Sequence, residues 1–187
     1  MRLKAENNRT LLHDQIFEMV DQNSKVIEFG CAKGDLLLKL SSKIEFGIGI
    51  DNSKTLIDKA IVRSNIKGVS NISFSCEELN KNYTINGTYD IAIASLFFHV
   101  IPLIDSINLV NKLKASSSLL LIAAICKPAN MLQNSVLWLD QKMTQHYSNF
   151  KTYKDFGYMD GLLEKVQVSD IKILKTSIPF VRIYKIR

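Results

Sequence analysis

Several things are scarce in this chain of 187 residues. Cysteine occurs three times, at Cys31, Cys76 and Cys126. Those positions are dispersed, so they outline neither a disulfide framework nor the close spacing of a metal site. A reduced, cytoplasmic setting is the simplest expectation. No His/Asp cluster with ligand spacing appears, so no metal is expected. Long hydrophobic runs are also missing. The apolar stretches Ile91 to Ile104 and Leu119 to Cys126 fall short of the roughly 20 residues of a membrane span, and Ser95 and His99 interrupt the first. The stretch from Met1 to Thr10 is polar and charged, unlike a secretory signal. The net charge is +6, yet the lysines are scattered and many lie beside acids. Without a dense basic stripe, nucleic acid is not the expected partner. There is no internal repeat, low-complexity segment or linker.

What the chain has is an alternation. Nearly half of it is apolar, enough for one sizeable core. Residues 9–20 read as an amphipathic helix, with Leu11, Leu12, Ile16 and Val20 on its apolar positions. Short apolar strands follow at residues 25–29, 44–50, 71–75, 89–96 and 119–125. Helical patterns separate most of them, at residues 35–40, 53–63 and 103–113. Residues 80–88 read as a polar loop, and Ser116 to Ser118 as a turn. Beyond Lys127-Pro128 the pattern changes. Residues 131–147 look helical, 149–157 irregular, and 158–166 again helical. Two terminal strands at 170–175 and 180–186 share a short link, so one of them must run antiparallel. The expected fold is a single α/β domain: a doubly wound, seven-stranded, mostly parallel sheet with a C-terminal antiparallel hairpin and helices on both faces.

In such a sheet, ligands bind beyond the carboxyl ends of the strands. The first strand ends in an acid and a loop of small residues, Glu28-Phe29-Gly30-Cys31-Ala32-Lys33-Gly34-Asp35. Small residues let the backbone approach a ligand closely. The following helix start offers free N–H groups to a carboxylate. Glu28 does not suit a pyrophosphate but does suit a positive centre. Asp51 closes the second strand twenty-one residues beyond Gly30, where an acid can accept hydrogen bonds from ribose hydroxyls. The bland alternative is a plain strand-to-helix turn with Asp51 as a helix cap.

Taken together, these motifs resemble the class I S-adenosylmethionine-dependent methyltransferases. The acid-x-Gly-x-Gly-x-Gly signature appears as Glu28 to Gly34, with Ala32 where the second glycine is common. Gly49-Ile50-Asp51-Asn52-Ser53 resembles the family's second strand end, and Tyr89 to His99 its fourth strand and exit. The resemblance implies S-adenosyl-L-methionine as the cofactor. It places Gly30, Cys31, Ala32 and Gly34 around the methionine moiety, with Glu28 near its amino group. Asp51 would hold the ribose, Asn52 would flank the adenine, and Ser95 would close the fourth strand. Cys76 and Glu77 follow the third strand, where an acid often meets the adenine amino group; Glu78 is the rival. Ser116-Ser117 stands where a Gly-Gly turn is common. The chain then divides into an N-terminal helix (1–23), a cofactor-binding core (24–126), an acceptor-site cover (127–160) and terminal strands (161–187).

Methyl transfer to a hydroxyl or a protonated amine benefits from a base. His99, after the fourth strand, and His146 and Tyr147, in the cover, are the candidates. His13 reads mainly as a helix-surface residue, although its helix has the place to close over the cofactor. Trp138, Tyr147, Phe150, Tyr153, Phe156 and Tyr158 either wall an apolar pocket or pack a lid. The sequence holds no Asn-Pro-Pro-Tyr-type segment of base-flipping amino methyltransferases. A small-molecule acceptor is therefore expected, with the chain a monomer or homodimer. The rival readings are a non-catalytic S-adenosylmethionine-binding or scaffold protein and, behind it, an RNA or protein methyltransferase. A nicotinamide enzyme is disfavoured, because Asp35 stands where its loop needs a third glycine.

Overall fold

Alternating burial shows how the sheet is built. In the computed structural model, which describes residues 2–187, β1 runs Lys25–Phe29 and β2 Phe46–Asp51. The strand β3 is Ile72–Cys76, β4 is Tyr89–Ser95 and β5 is Ser117–Ile125. The last two, β6 and β7, are Ile171–Lys175 and Val181–Ile186. One seven-stranded sheet results, in the order β3-β2-β1-β4-β5-β7-β6. The pairs among β1 to β5 are parallel. Only β7 is reversed, antiparallel to both β5 and β6. This is the expected doubly wound sheet with its terminal hairpin.

Successive side chains of a strand face opposite sides, and here both sides are apolar. Val26, Ile91, Ile93, Leu119 and Leu121 join one core with Leu12, Ile16, Leu36, Leu37 and Leu40. Ile27, Phe29, Ala92, Ala94, Leu120 and Ile122 join the other, with Leu109, Leu113, Phe150, Tyr153 and Leu162. The first layer is supplied by α1 (Arg2–Met19) and α2 (Asp35–Leu40). Beside β2 and β3 lies α3 (Lys54–Ile66). The second layer comprises α4 (Leu103–Ser116), α5 (Met131–Lys142), α6 (Tyr147–Asp155) and α7 (Tyr158–Lys165). Two buried faces are what a parallel sheet requires. By the same alternation Glu28, Gly49 and Ser95 fall on the α1–α2 side.

Between β3 and β4 no helix forms. The polar loop lays Tyr83 edge-on against Phe29, ring centroids 5.4 Å apart. The Asp105 carboxylate accepts from the Lys81 amide at 2.7 Å, tying the loop to α4.

Four local expectations are corrected. The helix expected over 131–147 stops at Lys142, because the Thr144 hydroxyl donates back to the Gln141 carbonyl at 2.7 Å and closes the turn. The segment 149–157, expected to be irregular, is mostly α6, held by buried Phe150 and Tyr153 one turn apart. No turn exists at Ser116 to Ser118. The Ser117 hydroxyl donates to the Leu113 carbonyl at 2.7 Å, and α4 runs straight into β5. The boundary drawn at 160 cuts through α7. Among the described residues, no helix is long and apolar enough to cross a membrane.

Candidate cofactor site

Three left-handed residues shape the loop after β1: Gly30 (φ 72°), Ala32 (φ 48°) and Gly34 (φ 75°). Glycine adopts this conformation freely. At Gly30 a side chain is also excluded by space, since a Cβ would stand 2.6 Å from Cδ2 of Phe97. The loop is pinned to β2 by its own amides. Those of Gly30 and Cys31 both donate to the Ile50 carbonyl, at 2.8 and 3.1 Å. Ala32 N–H donates to Oδ2 of Asp51 at 3.0 Å. Oδ1 of Asp51 accepts the Ser53 amide at 2.9 Å, so Asp51 and not the Ser53 hydroxyl caps the start of α3. From α3, Arg63 reaches back with one amino group, donating to the Lys33 carbonyl and pairing with Asp35, both at 2.6 Å.

Glu28 lies at the end of β1 and is 3% exposed. The Leu37 amide in the first turn of α2 hydrogen-bonds its carboxylate. Its Oε2 is buried with no partner. Burial, then the nearby Asp35 and Asp51, push its carboxyl up to about 8. A buried carboxylate oxygen without a donor is costly unless something fills the position.

Beside Glu28 is a cavity of about 150 Å³. Glu28, Gly30, Cys31, Ala32 and Ser95 line it. Gly34 sits beneath the loop, its α-carbon facing the Phe74 ring and Ala60. Asp51 adjoins the loop through Ala32. Asn52, Cys76 and Glu77 are exposed at the neighbouring strand ends, outside the cavity. They lie together: Asp51 pairs with Cys76 in the sheet, and the Cys76 thiol reaches the Asn52 carbonyl at 3.6 Å. The Ser75 hydroxyl donates to Glu77, while Glu78 is exposed next to it. Burial pushes the Cys31 thiol up, which keeps it protonated and unreactive.

The cavity has a wall the sequence did not announce. Arg9 and His13, one turn apart on α1, complete it with Asp35, Leu36 and Leu96. The surface reading of His13 is therefore corrected: the packing of Leu12 and Ile16 into the core turns it inward. Burial lowers its pKa, with Asp35 opposing.

The three candidate bases sit elsewhere. His99 is buried against His146, Phe150 and Tyr153, at ring-centroid distances of 6.1, 6.5 and 6.4 Å. Burial, and then His146, lower its pKa to about 3. Tyr147 packs on Phe150 at 6.4 Å. None of the three lines the cavity at Glu28. Of the aromatic set, Phe150, Tyr153 and Tyr158 belong to the core, and Tyr153 donates to the Ile125 carbonyl at 2.7 Å. Trp138 remains 42% exposed. Among the described residues, no group of three or more His, Cys, Asp or Glu stands close enough to hold a metal ion.

A family model described as a methyltransferase domain matches residues 20–174. The chain belongs to this methyltransferase family. No curated protein matches the sequence. Solved structures share its fold at low identity. A SAM-dependent methyltransferase from Aquifex aeolicus is 14% identical over 92% of this chain and 88% of its own, with a TM-score of 0.63. Magnesium protoporphyrin IX methyltransferase from Synechocystis PCC 6803, solved with bound SAH, is 15% identical over 96% and 83%, with a TM-score of 0.65. The S-adenosylmethionine-dependent methyltransferase SibL is 10% identical, with a TM-score of 0.75, and this chain, covered in full, spans 56% of its length. The cofactor of this methyltransferase is S-adenosyl-L-methionine. The residues present fit it: Glu28, an acid with one buried, unpartnered oxygen, lines the cavity, and an acid suits a donor that carries positive charge.

Proposed function

We propose that this protein transfers a methyl group from S-adenosylmethionine to a small-molecule oxygen, nitrogen or carbon nucleophile. The observation that carries the site assignment is the buried, unpartnered Oε2 of Glu28 below a glycine loop. In this reading Glu28 faces the amino group of the donor's methionine end. Gly30, Cys31 and Ala32 flank that end with backbone, and Asp51 takes the ribose. Asn52, Cys76 and Glu77 border the adenine.

When bound, the cofactor supplies an electrophilic methyl on a positively charged sulfur. The protein's part is to position: Ser95 and Leu96 border the cavity at the end of β4. Holding two reactants in line supplies much of the acceleration in such a displacement. His99 has no protonated form to offer near neutrality, so a base role for it would be restricted to its neutral imidazole. The name of the Synechocystis enzyme, a magnesium protoporphyrin IX methyltransferase, supports a small-molecule acceptor. Three free cysteines suit a reducing, cytoplasmic compartment.

Calorimetry with S-adenosylhomocysteine tests the site. Micromolar binding that Glu28→Gln and Asp51→Ala both weaken is expected. Absence of binding by the unaltered protein would overturn the reading.

A further inference from the structure

The cavity beside Glu28 has two electrically different walls. One is formed by Glu28 of β1 and Asp35 of α2, the other by Arg9 and His13 of α1. Asp35 is already engaged, by Arg63 at 2.6 Å and Lys33 at 3.4 Å. Glu28 is engaged only in part: the Leu37 amide hydrogen-bonds its carboxyl group, and its Oε2 lacks a donor. No salt bridge among the described residues engages Arg9. An acid and a guanidinium therefore line one small space, each with capacity for a ligand. A pocket for a whole drug-sized ligand occupies about 300 Å³ or more. At about 150 Å³ this cavity has room for one end of such a molecule. The end that suits a cavity lined by an acid and a guanidinium is a zwitterion, an α-amino group beside a carboxylate.

We infer that Arg9, delivered by α1, is the carboxylate ligand of the donor's amino-acid end. The guanidinium fork matches a carboxylate in two-point geometry, which lysine does not reproduce. Arg9 thereby selects nucleosides that carry an α-amino-carboxylate over those that lack it. Glu28 orients the amino group and Arg9 reads the acid, so the same nucleoside without its amino-acid tail gains nothing from α1. This inference rests on the cofactor reading above.

The test compares two probes by calorimetry, S-adenosylhomocysteine and 5′-methylthioadenosine, which lacks the amino-acid end. Arg9→Ala is expected to weaken the first by about tenfold or more, the scale of a lost charge-assisted contact, and the second by less than about twofold. Arg9→Lys is expected to restore part of the loss. Thermal unfolding of the free variants controls for folding, and little change is expected because Arg9 is exposed on its helix. Equal loss for both probes, or no loss for either, overturns the assignment of Arg9 while leaving the cofactor reading intact. If the unaltered protein binds neither probe, the cofactor reading itself falls, and the role of Arg9 with it.

Discussion

The carboxyl edge of the sheet is built in two contrasting ways. Around β1 and β2 it is polar and interlocked. A carboxylate ends β1, three left-handed residues follow, and Asp51 holds amides of both the loop and α3. Around β4 and β5 it is largely aromatic, with His99 buried against His146 and against Phe150 and Tyr153 from α6. The first half keeps an unpartnered carboxylate oxygen. The second packs its buried imidazole against aromatic rings. Strain and unsatisfied polarity persist in a fold when something else compensates them. Aromatic packing needs no such partner. The contrast sets an edge with unsatisfied polarity against one that is packed, and mutations can break it.

The largest effect should come from Gly30→Ala. A non-glycine residue in the left-handed region costs about 1–2 kcal/mol. The clash with Phe97 adds an overpacking cost of about 1–3 kcal/mol. Urea unfolding should show a loss of about 2–5 kcal/mol, and binding of S-adenosylhomocysteine should weaken with it. A loss below 1 kcal/mol would mean the loop is softer than its geometry.

Asp51→Ala should come next. Two backbone amides lose a charged acceptor, at about 1–2 kcal/mol of stability. The ribose contact should cost at least ~1 kcal/mol of cofactor affinity. Unchanged affinity would remove Asp51 from the binding site and leave it a turn residue.

The two buried titrating groups should respond in opposite pH directions. The Glu28 carboxyl is raised from 4.5 to about 8, so the folded state holds its proton more tightly than the unfolded chain. Its contribution to stability is complete below pH 4.5 and is lost as pH rises through 8. Glu28→Gln should therefore raise the melting temperature above pH 8 relative to the unaltered protein, and have little effect near pH 5. Cofactor binding at pH 7 should release a proton from Glu28, read as a binding enthalpy that varies with the buffer. His99 is lowered from 6.5 to about 3. Its contribution is complete above pH 6.5 and is lost as pH falls toward 3. His99→Phe should flatten the acid side of the stability curve. If His99 serves as a base, the rate should show no protonation step of this group between pH 5 and 8. A step that disappears in His99→Phe would show the ring to be wetter than its packing suggests.

These two halves were also unequally legible in the sequence. Glu28, the glycine loop and Asp51 stand out because local backbone chemistry dictates them: a strand, a left-handed turn and a cap leave marks within a few residues. Glu28, Gly30, Cys31 and Ala32, with Ser95 at the end of β4, line one cavity. Arg9 and His13 left no such mark, because their place depends on how α1 docks through Leu12 and Ile16. The helix α6 was missed for a related reason. Only Phe150 and Tyr153 of its nine residues are buried, too few for a visible apolar period. The serine junction after α4 looked like a turn because its hydroxyls accept and donate locally, and only the structure shows them capping Leu113.

The smallest effect is also the one of least obvious sign. Ala32 holds φ 48° with a Cβ, at a position between two glycines that share its handedness. Relieving that strain with Ala32→Gly is worth about 1–2 kcal/mol. Against this, glycine gives the unfolded chain more freedom, a cost of about 0.4–1 kcal/mol. The backbone N–H that Ala32 donates to Asp51 is kept in either case. The balance favours the variant by about 0–1.6 kcal/mol, readable as a small rise in the urea midpoint with an unchanged slope. Cofactor affinity should hold or improve slightly, since the backbone can then approach the ligand more closely. If Ala32→Gly instead destabilises, the Cβ must be packing usefully against the loop. The polar half of the sheet edge would then be less strained, and more like its aromatic neighbour, than its backbone angles indicate.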